Sequence, residues 1–99
     1  MNYQLIFHPQ ATAEYAEAYQ WYEREQKGLG DRFEGKVEEG LFQLQSHPEN
    51  YGIIKSPYRE VSLDVFPYVI VYRINKRKRI IYVSAIYHNS RNPGGKYRK

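Results

Sequence analysis

The spacing of apolar residues changes near the middle of the chain. Tyr3–Phe7 is short, apolar and aromatic, which predicts a first strand. His8-Pro9 interrupts it, and proline suits the first position of a helix, where its missing N–H costs nothing. From Gln10 to Glu25, residues Ala11, Tyr15, Ala18, Tyr19 and Tyr22 recur at three- and four-residue spacing, with Glu14, Glu17 and Glu25 on the other side. Lys27-Gly28-Leu29-Gly30 reads as a tight reversal, with Asp31 placed to cap the next helix. Phe33, Val37, Leu41 and Leu44 continue that second helix until His47-Pro48 stops it.

Beyond that point the period is that of strands. Arg59–Leu63 alternates, while Pro67–Ile74 and Arg79–Tyr87 are rich in valine, isoleucine and tyrosine. Asn75–Lys78 is a polar hairpin turn between the last two, and the short link through Asp64, Phe66 and Pro67 makes their neighbours antiparallel as well. The predicted class is α+β, in the order strand-helix-helix-strand-strand-strand, with a helical hairpin packed on a small, mainly antiparallel sheet. Residues 1–93 form the expected single domain. Residues 94–99 read as a flexible basic tail, because Pro93-Gly94-Gly95 offers nothing to pack.

Composition narrows the function. The 99 residues hold no cysteine, which excludes a disulfide framework, a cysteine zinc site and a thiol nucleophile. No apolar run approaches a membrane span or a signal sequence, so the expectation is a cytoplasmic protein without membrane contact. Charge is divided unevenly: residues 1–50 carry four basic and nine acidic side chains, whereas residues 51–99 carry eleven basic and two acidic. A surplus of this size in one half points to a polyanionic or acidic partner. The competing reading is that the basic residues only solubilise a strand-rich half.

Few residues carry chemistry. Gly28-Leu29-Gly30 joins two helices and lacks the preceding strand of a nucleotide fingerprint. His8, His47 and His88 are scattered without metal-ligand spacing, so neither metal nor cofactor is expected, and His8 and His47 read as structural. His88 follows the last strand, beside Tyr87 and three residues before Arg91, where an imidazole among arginines can act as a general acid or base on a phosphate ester. It can equally be a hydrogen-bonded surface histidine. Arg59, Arg73 and Arg91 are natural phosphate partners, since guanidinium binds phosphate oxygens bidentately and keeps its charge. Lys76 and Arg77 open a run of four basic residues at the hairpin tip, suited to attracting polyanions without reading them.

Taken in order, several short motifs resemble the RelE/ParE superfamily of toxins. Trp21-Tyr22-Glu23 precedes Gly28-Leu29-Gly30 and Phe33. Next come His47-Pro48-Glu49 with Tyr51, then Arg59, then Phe66-Pro67-Tyr68 with Ile70, Tyr72 and Arg73. His88, Arg91 and Pro93 close the series. The resemblance spans Pro9 to Pro93. It implies a type II toxin neutralised by a cognate antitoxin, in a toxin–antitoxin hetero-oligomer. Two targets live on this fold. One branch cleaves messenger RNA on the ribosome as a metal-independent endoribonuclease, and the other inhibits DNA gyrase. For the first, the resemblance implies His88, Arg59, Arg73 and Tyr87 as catalytic candidates; Arg59, Arg73 and Arg91, with Lys76 and Arg77 of the basic run, are the target- or phosphate-binding candidates. Ser46–Pro57 departs from the nucleases, offering only Glu49 and Lys55, and the Phe66-Pro67-Tyr68 turn and the His88–Pro93 ending are closer to the ParE side. The alternatives are a non-toxic basic nucleic-acid-binding module, or a decayed toxin that retains antitoxin binding.

Overall fold

The structure, a computed structural model, describes residues 3–99. Met1 and Asn2, the first residues of the expected domain, lie outside the described residues. Strand β1 (Gln4–Phe7) is followed by helices α1 (Pro9–Glu25) and α2 (Leu29–Ser46) and a 3-10 turn at Pro48–Asn50. Strands β2 (Ile53–Lys55), β3 (Tyr58–Ser62), β4 (Tyr68–Asn75) and β5 (Ile80–His88) come next, and a second 3-10 turn occupies Pro93–Lys96. The sheet order is β1-β5-β4-β3-β2. β1 runs parallel to β5, with Gln4 opposite Ile80 and Phe7 opposite Val83, and the other pairs are antiparallel. A parallel pair needs a crossover. The helical hairpin supplies it and covers one face of the sheet.

That covered face holds the main core. Phe33, Val37, Leu41 and Leu44 of α2 and Ala11 and Ala18 of α1 meet Val61, Ile70, Tyr72, Ile81, Val83 and Ile86 of the sheet. Phe33 packs with Tyr22, Phe66 and Tyr68 at ring separations of 5.2, 5.3 and 5.1 Å. Burying each large side chain contributes about 1.5–3 kcal/mol, so these contacts fix the hairpin on the sheet.

The link between the helices differs in detail from expectation. Gly28, at φ 89°, caps α2 with no side-chain acceptor, and Asp31 lies inside the first helical turn, where it accepts from the Tyr19 hydroxyl. Glu23 acts as the anchor instead, accepting the N–H groups of Gly28 and Gly30, both at 2.9 Å. Strand β2 is a further departure. Its residues are all exposed, and Ile53 and Lys55 pair with Arg59 and Tyr58, but three residues are too few to display a two-residue period.

A bulge in β5 sets the second face. Val71 lies opposite Ala85 and Tyr72 opposite Val83, leaving Ser84 as the extra residue. Beyond it, Ala85 and Tyr87 point away from the helices and form a smaller apolar cluster with Tyr58, Val69 and Val71. The tail expected to be flexible closes over this cluster. The Ser84 hydroxyl donates to the Lys96 carbonyl at 2.7 Å and accepts from the Arg98 N–H at 2.6 Å, and the Tyr58 hydroxyl donates to the Arg98 carbonyl at 3.0 Å. Tyr97 packs on Tyr58 at 5.3 Å, and Lys96 pairs with Glu60 at 2.7 Å. The physical reason is the apolar outer face itself, which would otherwise stay wet. Gly95, part of the supposedly loose run, allows the approach: a Cβ there would lie 2.6 Å from the Tyr87 hydroxyl.

Candidate functional site

The sheet disperses the seven candidate residues over two ends and two faces. Arg59 lies opposite Tyr72 and turns toward the loop after α2, where its guanidinium donates to the Tyr51 carbonyl at 2.6 Å and the Glu49 carbonyl at 3.4 Å. The Tyr72 hydroxyl beside it donates to the Pro48 carbonyl at 2.6 Å, and burial pushes this phenol up to about 12. Lys76 reaches the same end of the sheet and pairs with Glu49 at 2.6 Å. That hydrogen bond lowers the Glu49 carboxyl and raises the Lys76 ammonium. Arg77 stays exposed at the hairpin tip. Arg59 and Lys76 therefore hold the 48–51 loop against the sheet.

His88 lies at the opposite end, across from Tyr68, whose ring it meets edge-on at 5.0 Å. Its Nδ1 accepts from the Ser90 N–H at 3.0 Å and lies 2.7 Å from the Ser90 hydroxyl. A groove of about 490 Å³ opens here between Trp21, Tyr22, Pro67, Tyr68 and His88. Trp21, 53% exposed, forms its outer wall. Burial raises the Tyr68 phenol.

Arg73 and Tyr87 belong to the other face. Arg73 stacks over the Tyr82 ring at 4.2 Å. Tyr87 is buried, and its hydroxyl is spent on the Asn92 carbonyl at 2.7 Å. Arg91 covers the Tyr87 ring at 4.4 Å and reaches Glu14 at 3.2 Å. Arg73 lies five residues along β4 from the partner of His88, about 17 Å at strand rise. A general acid must come within about 3 Å of the proton it transfers. His88, Arg59, Arg73 and Tyr87 consequently do not face one phosphate.

The residue missed by the sequence reading is Glu14. It is nearly buried, accepts the Ile86 N–H at 3.1 Å, and binds Arg91 and Arg98 together. β1 ends opposite Val83, so the Ile86 N–H has no strand partner on that side, and the carboxylate takes that place. The Arg98 guanidinium is raised in turn by its hydrogen bonds to Glu14. A signal was present: Glu14 falls three residues after Ala11 and four before Ala18, in the stripe those two buried alanines define.

Among the described residues, no group of three or more His, Cys, Asp or Glu side chains could hold a metal ion. No described helix is long and apolar enough to cross a membrane.

Comparison with known proteins places this geometry in a family. The chain is similar to a protein of the chromosomal ParDE toxin–antitoxin system from P. aeruginosa, at 17% identity and a TM-score of 0.74, over 87% of this chain and 95% of that one. It is also similar to the isolated E. coli RelE toxin, at 19% identity and a TM-score of 0.68, over 91% and 87% of the two chains. The archaeal RelE–RelB complex from Pyrococcus horikoshii OT3 provides a third likeness, at 14% identity and a TM-score of 0.55, over 93% of this chain and all of that one. These likenesses share a fold; no curated protein matches by sequence. Residues 5–93 match the ParE toxin of the type II toxin-antitoxin system, parDE, and the chain belongs to that toxin family.

Proposed function

We propose that this chain arrests growth by blocking DNA gyrase, without cleaving messenger RNA, and that a cognate antitoxin neutralises it by binding. The observation that carries this reading is the dispersal of the four residues a nuclease would need. Arg59 is committed to backbone carbonyls, Tyr87 is buried under the tail, and Arg73 and His88 lie about 17 Å apart along the sheet. A toxin that works by occupying a partner's surface needs no such convergence; it needs exposed anchors. Trp21, Phe42, Ile53, Ile54 and Val65 are large apolar side chains left in water.

The test is a pair of reactions with purified protein: supercoiling by DNA gyrase, and messenger RNA cleavage on ribosomes. Inhibited supercoiling with intact RNA is the expected result. RNA cut in the ribosome reaction, with gyrase unaffected, would overturn it.

A further inference from the structure

The geometry points to a binding cleft for a nucleotide phosphate on the outer face of the sheet, centred on Arg73 and completed by the returning tail. The inference goes beyond the gyrase reading and holds whichever target the toxin has. The cleft, about 240 Å³, lies between the end of β1 and the His8-Pro9 turn on one side and Arg98 and Lys99 on the other, with Arg73, Tyr82 and Ser84 as its floor. Ile6 and Pro9 form an apolar wall, and no acidic side chain lines the cleft.

Four other cations of the sheet half are matched by carboxylates, and Arg79, which stacks on Tyr3 at 4.5 Å, lies outside the cleft. Lys96 has Glu60, Lys76 has Glu49, and Arg91 and Arg98 share Glu14. One carboxylate between two guanidinium groups leaves that cluster with a net positive charge, and its Arg98 member lines the cleft. Arg73 has no carboxylate within ion-pair distance among the described residues. Its Nε is shut off from water with no hydrogen-bond partner, while its carbon stacks on Tyr82 at 4.2 Å. Cations gathered in a walled cleft focus their field on an incoming anion. Phosphate suits this arrangement because its oxygens accept from a guanidinium fork and from a second cation at once. The apolar wall distinguishes a nucleotide from a bare ion, since it offers a surface for sugar or base. The site depends on the tail being folded, because Arg98 and Lys99 form one side.

The experiment titrates the full chain at low salt with 5′-AMP, inorganic phosphate and a short oligothymidylate, following the Arg73 Nε–H resonance. Saturable binding of AMP that shifts this resonance is expected. Arg73→Gln should weaken AMP binding about tenfold, equivalent to about 1.4 kcal/mol, while Arg32→Gln on the exposed surface of α2 changes it less than about twofold, the level of a surface charge. Arg73→Lys, which keeps charge without the fork, should fall between them, and unchanged circular dichroism would show that all three fold. Oligothymidylate displaced by AMP identifies strand phosphates as occupants; AMP binding that the oligomer leaves untouched identifies free nucleotide. Equal losses in Arg73→Gln and Arg32→Gln would reduce the cleft to diffuse charge and overturn the inference. Inorganic phosphate binding as tightly as AMP would overturn the nucleotide assignment.

Discussion

Glu14 and Arg98 lie at opposite ends of the chain yet form a two-pronged ion pair, with the guanidinium nitrogens 2.7 and 3.0 Å from the two carboxylate oxygens. The pair joins α1 to the tail across the edge of β5, where the same carboxylate accepts the Ile86 N–H. One side chain thereby ties the first helix, the last strand and the C-terminal segment together.

Glu14→Gln is expected to loosen all three. The carboxylate is 11% exposed and Arg98 13%, so the lost bonds are charge-assisted and poorly replaced by water. A loss of about 2 kcal/mol, roughly 10 °C in melting temperature, is expected by thermal denaturation. Trypsin should then cut at Lys96 and Arg98 faster than in the parent. Unchanged stability and cleavage would show the pair to be incidental.

Two glycines of the helical hairpin should respond in opposite directions. A Cβ at Gly30 would sit 2.7 Å from the Tyr19 carbonyl oxygen, a backbone atom that cannot rotate away. Overpacking typically costs about 1–3 kcal/mol, so Gly30→Ala destabilises and opens the hairpin. Gly35, exposed in the middle of α2, has nothing within 4 Å of a Cβ. Gly35→Ala should stabilise by about 0.5–1 kcal/mol through helix propensity alone. Urea midpoints of the two variants, compared with the parent, check both signs.

Tyr72 makes stability depend on alkaline pH. Its phenol ionises near 10 in the unfolded chain and at about 12 in the fold. A group whose folded pKa is raised contributes stability that is complete below its unfolded pKa and is lost as pH rises through the folded one. Stability should therefore decline between about pH 10 and about pH 12. Tyr72→Phe removes this share of the decline and, through the lost bond to the Pro48 carbonyl, costs about 1 kcal/mol at neutral pH. Urea titrations of both proteins at pH 8 and pH 11 separate the two effects.

His88→Ala and Tyr87→Phe bear on the proposed mechanism. Removing a general acid or base from a nuclease costs about 10²–10⁴ in rate. Growth arrest by either variant, expressed at the level of the parent, should instead match the parent. Loss of arrest in a folded His88→Ala variant would restore His88 as a catalytic group.

Much of the architecture is legible in residue order. The two helices follow from Ala11, Ala18, Phe33, Val37, Leu41 and Leu44 at helical spacing, and the hairpin β4–β5 follows from its valines, isoleucines and tyrosines around a polar turn. These are local signals, carried within one element, and short-range spacing expresses them fully. β2 escapes because its pairing depends on β3, and Glu14 escapes because its partners lie at the far end of the sequence.

The candidate site divides along the same line. Residue types alone nominate arginines and His88 for phosphate chemistry, and the split of charge between the two halves is set by the sequence. Which of these groups meet is decided by the sheet. Alternation sends Arg59 to the helix-bearing face and Arg73 to the other, the Ser84 bulge turns Tyr87 under the tail, and antiparallel register places His88 and Lys76 at opposite ends. The sequence determined the elements and the charges because both are local properties. The tertiary structure decided their partners because a contact between distant residues exists only once the register and the faces of the sheet are set.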